Sequence, residues 1–252
     1  MQEISRLFDH ELANYPETYR PILTANRSRL IWQVSQIVEN IAPGGQLLDI
    51  GAGIVPFMLI CRKLGYAVTI IDDLGDSTYQ NPDRDRVMER FAKAGVRFVN
   101  GDAFTSTGEA VFDRSYDLVT SHDSMEHWHN SPKWLFHRLW GSMPAGGLLW
   151  IGVPNSVNLR KRITVPFGRG KWSTMDDWYE KPVFRGHVRE PDVGDLAYIA
   201  RDLGASRYRI VGKNWIGYRH PSKFIRTVTP FVDRAMQLRP SLCTDINLLA
   251  WK

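Results

Sequence analysis

The feature that most constrains this chain is a rhythm between residues 46 and 154. Short apolar runs alternate with longer stretches that read as helices, and two of the runs carry an acid at or next to their end. The runs are QLLDI (46–50), AVTIID (67–72), VRFVN (96–100), YDLVTS (116–121) and GGLLWIGVP (146–154). The helices between them are PFMLICRKLG (56–65), DRVMERFAKAG (85–95) and PKWLFHRLWGSM (132–143), the first two stopped by glycine. Strand–helix alternation with short connections predicts an α/β fold, a parallel sheet covered by helices on both faces. Apolar runs, rather than period-two alternation, suit strands buried on both sides. In such a sheet a ligand lies beyond the carboxyl ends of the strands. Functional residues are therefore expected just after each run.

The flanks are different. Residues 1–42 read as two helices, Ile4 to Asn14 and Ile22 to Asn40, separated by Pro16 and Pro21. Residues 155–190 have no clear period and hold eight Lys or Arg. A long aperiodic segment inside a domain of this size is usually a lid or binding loop. Beyond it come a helix (192–203), a strand (206–215), a helix interrupted by Pro230 (222–237) and a strand-like end (241–252). The last two strands are expected to form an antiparallel pair at the sheet edge.

Composition narrows the setting. Only Cys61 and Cys243 occur among 252 residues, so no disulfide framework is expected and a reducing cytoplasm suits the chain. No apolar run is long enough to predict a membrane span, and the acid-bearing start does not read as a signal peptide. A net charge of +5 leans only weakly toward an anionic partner, whether a phosphorylated substrate, a membrane face or nucleic acid. There is no separate basic domain, so nucleic acid is not the expected partner.

Four segments follow the first four strands. The first is Asp49-Ile50-Gly51-Ala52-Gly53, a glycine turn before a helix, where a backbone without Cβ atoms admits a ligand. Pro56 stands where a dinucleotide fingerprint would need its third small residue. The second is Asp72-Asp73, about 20 residues on, where a carboxylate can accept both hydroxyls of a ribose. The third is Asp102-Ala103-Phe104, which suits an adenine amine and its ring. The fourth is Ser121-His122-Asp123-Ser124-Met125-Glu126-His127-Trp128-His129, a dense set of imidazoles and carboxylates.

Taken in order, DIGAG, IIDD, NGDAF, YDLVTSHDSMEHW and PAGGLLWIGVPN resemble the class I S-adenosylmethionine-dependent methyltransferases, and SMEH resembles the "EH" segment of their small-molecule, glycan, lipid and quinone-type branch. The resemblance covers residues 40–215. It implies a Rossmann-like, seven-stranded, mostly parallel sheet with an antiparallel last strand pair. It also implies S-adenosyl-L-methionine as cofactor, with Asp49, Gly51, Ala52 and Gly53 along its methionine part, Asp72 and Asp73 at the ribose, Asp102, Ala103 and Phe104 at the adenine, and His122 near the sulfonium. Val55 replaces the third glycine common in the family and narrows that loop. The domain reading is then a helical cap (1–42), a cofactor-binding core (43–154), a substrate lid (155–190) and the C-terminal part of the same domain (191–252).

Methyl transfer to a hydroxyl requires alignment and a base for the hydroxyl proton. His127 is the first candidate, His122 and His187 the next, with Asp123 or Glu126 as orienting carboxylates. No metal is expected. A variant reading gives a cation Asp123, Glu126, His127 and His129 as ligands. The aperiodic segment offers Arg160, Lys161, Arg162, Arg169 and Lys171 for an anionic group, and Trp172, Trp178 and Tyr179 as stacking faces. These favour a saccharide or anionic glycan precursor as acceptor. Lipid, phenol and RNA acceptors, a nicotinamide-dependent oxidoreductase and an inactive cofactor-binding protein are the competing readings. The oligomeric state, homodimer included, stays open.

Overall fold

Each predicted apolar run is a strand in the computed structural model, which describes residues 1–170 and 173–252. The order is α1 (Gln2–Asn14), α2 (Arg20–Ala25), α3 (Arg27–Asn40), β1 (Gln46–Ile50), α4 (Phe57–Lys63), β2 (Ala67–Asp72), α5 (Asp83–Ala94), β3 (Arg97–Asn100), β4 (Leu118–His122), α6 (Lys133–Ser142) and β5 (Leu148–Pro154). Then follow α7 (Leu159–Thr164), α8 (Met175–Tyr179), α9 (Val193–Asp202), β6 (Arg207–Lys213), α10 (Trp215–Tyr218), α11 (Lys223–Met236) and β7 (Asp245–Trp251). The seven strands run in the order β3-β2-β1-β4-β5-β7-β6. The pairs β1–β2, β1–β4 and β2–β3 are parallel, whereas β7 pairs antiparallel with both β5 and β6. The mostly parallel sheet with an antiparallel end is the one expected from the sequence.

The chain divides into two compact units. The first holds residues 1–120 and 141–147. Its centre is β1, where Leu47, Leu48 and Ile50 are buried, flanked by Ile70 and Ile71 of β2 and Leu118 and Val119 of β4. The N-terminal helices pack on it through Phe8, Leu23, Val34 and Ile37. Glu11 of α1 is buried yet charged-partnered, receiving Lys63 Nζ on one oxygen and Arg90 Nη2 at 2.6 Å on the other. Tyr15, just past α1, donates its hydroxyl to the Ile54 carbonyl at 3.1 Å.

The second unit holds residues 121–140 and 148–252. Trp150 and Ile151 of β5 and Ile246, Leu248 and Leu249 of β7 form its core. The buried Trp150 indole N–H donates to Asn247 Oδ1 at 3.1 Å, which satisfies both groups. Among the described residues no helix is long and apolar enough to cross a membrane.

Two local expectations are corrected. The helix expected over 22–40 is broken at Asn26, whose side-chain amide and backbone N–H both donate to the Ile22 carbonyl and end α2. Residues 155–190 contain two short helices, α7 and α8, with no buried residue in either, so no apolar period marks them.

Candidate functional site

In the first unit the glycine turn after β1 is built as its sequence requires. Gly51 and Gly53 have φ of +74° and +58°, a region that disfavours side chains. A Cβ on Gly53 would also strike the Tyr79 hydroxyl. The Asp72 carboxylate, at the end of β2, organises this turn. Its Oδ2 accepts from Gly53 N and its Oδ1 from Leu74 N, both at 2.7 Å. Burial pushes the Asp72 carboxyl up, the two backbone N–H groups oppose this, and the like charges of Asp73 and Asp76 add to it. Asp73 itself is exposed and accepts from Gly75 N at 2.8 Å.

The other predicted cofactor residues differ in environment. Asp49 lies within the sheet, where its carboxylate accepts from the Thr120 hydroxyl at 2.8 Å. Ala52 is partly exposed beside the two glycines, and Ala103 is buried. Asp102 is exposed and accepts from Phe104 N at 2.8 Å, closing a tight turn after β3.

Asp49 makes one measurable statement. Burial pushes its carboxyl up to about 7, the Thr120 hydroxyl opposes this, and the Asp72 charge adds to it. The folded chain thus holds this proton to a higher pH than the unfolded chain, so native stability falls as pH rises toward about 7. Asp49→Asn, neutral at every pH and still able to accept from Thr120, is expected to lose less thermal stability than the parent between about pH 5 and about pH 8. Parallel melting curves for the two proteins would refute it.

The second unit assembles an imidazole cluster. His127 follows β4, and its Nδ1 lies 2.7 Å from the Arg185 carbonyl. A carbonyl only accepts, so Nδ1 carries the proton and Nε2 the lone pair. Burial pulls the His127 imidazole down, the Arg185 carbonyl opposes this, and His187 pulls in the same direction as burial. The His127 and His187 rings meet edge to face, with centroids 4.8 Å apart. His187 Nδ1 lies 2.7 Å from Glu190 Oε1, and the other Glu190 oxygen meets Lys161 Nζ. Burial raises the Glu190 carboxyl, but the hydrogen bonds from His187 and Lys161 outweigh it and hold the carboxyl near about 2. Glu190 is therefore an anion, and His187 donates to it from Nδ1.

Glu126 is buried, and its backbone carbonyl accepts from Val188 N and Arg189 N at 2.7 and 3.1 Å, which fastens the 185–190 segment behind the loop after β4. One atom each of Glu126, His127 and His187 lie within 4.8 Å of one another, a set able to hold a cation. His187 also lines a cavity of about 470 Å³, together with His129, Ser173, Thr174, Trp178 and Phe184. That volume suits a small molecule.

The remaining predicted residues have other contacts. His122 packs edge-on against Trp150, with ring centroids 4.6 Å apart. Asp123 is exposed, takes φ +50°, and donates its N–H to the Gly152 carbonyl at 2.9 Å. The His127-centred metal reading changes its members, because His129 lies on the cavity wall and His187 joins Glu126 and His127 instead. Of the basic residues read as an anion grip, Lys161 binds Glu190, and Arg162 donates to the Val157 and Ser241 carbonyls. Lys171 and Trp172 lie outside the described residues. Glu190 escaped sequence reasoning, although its signal, an acid three residues after His187, was present.

A family model described as a methyltransferase domain matches residues 23–206. No curated protein matches the chain. Solved structures share the fold at low identity. A cyclopropane-fatty-acyl-phospholipid synthase-like protein from Lactobacillus casei aligns with a TM-score of 0.61 at 15% identity, covering 97% of this chain and 98% of its own. A SAM-dependent methyltransferase from Thermotoga maritima gives 0.55 at 15% identity, covering 99% of each chain. The magnesium protoporphyrin IX methyltransferase from Synechocystis, solved with bound SAH, gives 0.54 at 13% identity, covering 94% of this chain and 88% of its own.

Proposed function

Because the chain belongs to the methyltransferase domain family, we propose that it transfers a methyl group from S-adenosyl-L-methionine to a hydroxyl of a small molecule, with a saccharide or glycan precursor as the favoured acceptor. When bound, the cofactor supplies a methyl carried on a sulfonium, open to in-line attack by an oxygen nucleophile. The first unit suits this molecule in charge. Asp72, Asp73 and Asp76 make the rim of the glycine turn acidic. Acidic groups repel the phosphates of a dinucleotide and favour ribose hydroxyls and a cationic sulfonium. Asp72 holds the ribose hydroxyls through lone pairs beyond those given to Gly53 and Leu74.

The observation that carries the hydroxyl reading is the Lys161–Glu190–His187 series, whose last member lines the cavity. An anionic Glu190 fixes the His187 tautomer and stabilises the imidazolium formed when Nε2 takes a proton. This is the division of labour of a carboxylate–histidine pair. His187 therefore replaces His127 as the first choice of base, and His127 packs against it as a second imidazole. Trp178 and Phe184 offer flat faces for a sugar ring, and Ser173, Thr174 and His129 offer partners for its hydroxyls.

Calorimetry tests the cofactor. S-adenosylhomocysteine is expected to bind with release or uptake of heat, and NAD⁺ to give none; the reverse would end the reading. Transfer of label from S-adenosylmethionine across sugars, phenols, lipids and RNA tests the acceptor. Labelling of sugars above the other classes is the expected result, and labelling confined to another class would move the acceptor there.

A further inference from the structure

The segment between β6 and β7 lies beyond the family match and carries an inside-out helix. A surface helix ordinarily turns its apolar stripe inward. α11 does the opposite. Its buried residues are polar, Thr229 and Asp233. Asp233 accepts from Asn214 Nδ2 at 2.8 Å, the Tyr218 hydroxyl at 3.1 Å and Gln237 Nε2 at 2.7 Å, so a polar network anchors the helix. Its large apolar residues face water instead. Phe224 and Phe231, seven residues apart on one stripe, are 75% and 77% exposed, and Leu238, in the turn just past the helix, is 89% exposed. Ile225 and Val232 widen that stripe. Pro230 does not end the helix.

Charge says what covers this face. Residues 214–243 contain Arg219, Lys223, Arg226, Arg234 and Arg239, all exposed, against one acid, the buried Asp233. A second copy of the chain seated on this face would bring two such cation sets together. An anionic surface with an apolar interior satisfies both the cations and the stripe. At 14 residues, α11 is far short of the length that spans a bilayer, so it can only lie along one. We infer that α11 docks the protein on a membrane surface rich in anionic phospholipid, its Phe224 and Phe231, with Leu238 just past its end, entering the headgroup region and the neighbouring cations meeting the phosphates. The inference is independent of the methyl-transfer reading.

Co-sedimentation of the full chain with vesicles tests it. Binding is expected to vesicles of phosphatidylglycerol mixed with phosphatidylcholine, to weaken with added salt, and to be absent with phosphatidylcholine alone. The triple variant Phe224→Ser, Phe231→Ser, Leu238→Ser is expected to bind at least about tenfold more weakly. The charge variant Lys223→Glu, Arg234→Glu checks the same face without touching the apolar residues and is expected to bind weakly at every salt concentration. Far-ultraviolet circular dichroism of both variants should match the parent. No binding of the parent to anionic vesicles, or parent-like binding by both variants, overturns the inference. So does self-association of the parent that the triple variant abolishes, which would assign the face to a second copy.

Discussion

His187→Ala is expected to lower turnover by about 100- to 10,000-fold, the range of a lost general base. Affinity for S-adenosylhomocysteine should stay within about twofold, because the proposed role of His187 is to take a proton rather than to hold the cofactor. Glu190→Gln tests the same idea from behind. The carboxylate that accepts from His187 Nδ1 would become a group that can present an N–H instead, so the imidazole loses the partner that sets its tautomer. Turnover should fall steeply, with the acceptor KM little changed. His127→Ala should cost less than His187→Ala, since it removes a packed ring rather than the carboxylate-linked one. If His127→Ala proves the more damaging, the base returns to His127. A chelator should leave turnover unchanged. Loss of activity on chelation, restored by a divalent cation, would instead make Glu126, His127 and His187 ligands.

The second large effect is at Asp72. Asp72→Ala removes a carboxylate that accepts from two backbone N–H groups, at Gly53 and Leu74. Hydrogen bonds to a charged partner contribute about 1.5–3 kcal/mol each. Losing one such bond to the ribose alone weakens cofactor binding at least about tenfold. Losing the two backbone contacts also loosens the glycine turn, so the melting temperature should fall as well. Asp72→Asn separates the two roles poorly by design of the site: a single amide oxygen cannot face two N–H donors, and its NH₂ would confront one of them. Nearly the same loss of affinity is expected from Asn as from Ala. Unchanged calorimetric affinity in either variant would show that the ribose does not rest on Asp72.

The sheet was legible in the sequence because its strands are apolar runs bounded by glycines and acids. β1 and β2 begin and end at the predicted residues, and the antiparallel β6–β7 pair follows from the change of pattern after residue 205. The break at Asn26 was not legible. The apolar period begins only at Leu30, and Asn26 ends α2 with its side-chain amide and backbone N–H both on the Ile22 carbonyl. The short helices α7 and α8 were hidden for the opposite reason, since a helix that buries nothing leaves no period to find. The site shows the same division. The glycine turn and Asp72 follow from chemistry local to strand ends. The Glu190–His187 pair depends on a segment some sixty residues beyond β4, brought back by backbone bonds from Val188 and Arg189 to Glu126. Those bonds have no signature in residue type. α11 misleads in another way. The sequence shows a helix interrupted by Pro230, and only the structure reveals that the buried side is the polar one.

Glu11 gives the first helix a reach beyond its own length. Its two cationic partners sit on α4, which follows the glycine turn, and on α5, which follows the Asp72 loop, while Tyr15 touches the turn itself at Ile54. Trimming the chain ahead of Pro16 would strand Lys63 and Arg90 without their shared counterion and remove a strut from the turn. The opening residues thus brace the glycine turn, and a shortened protein should be judged by its grip on cofactor before its activity is interpreted.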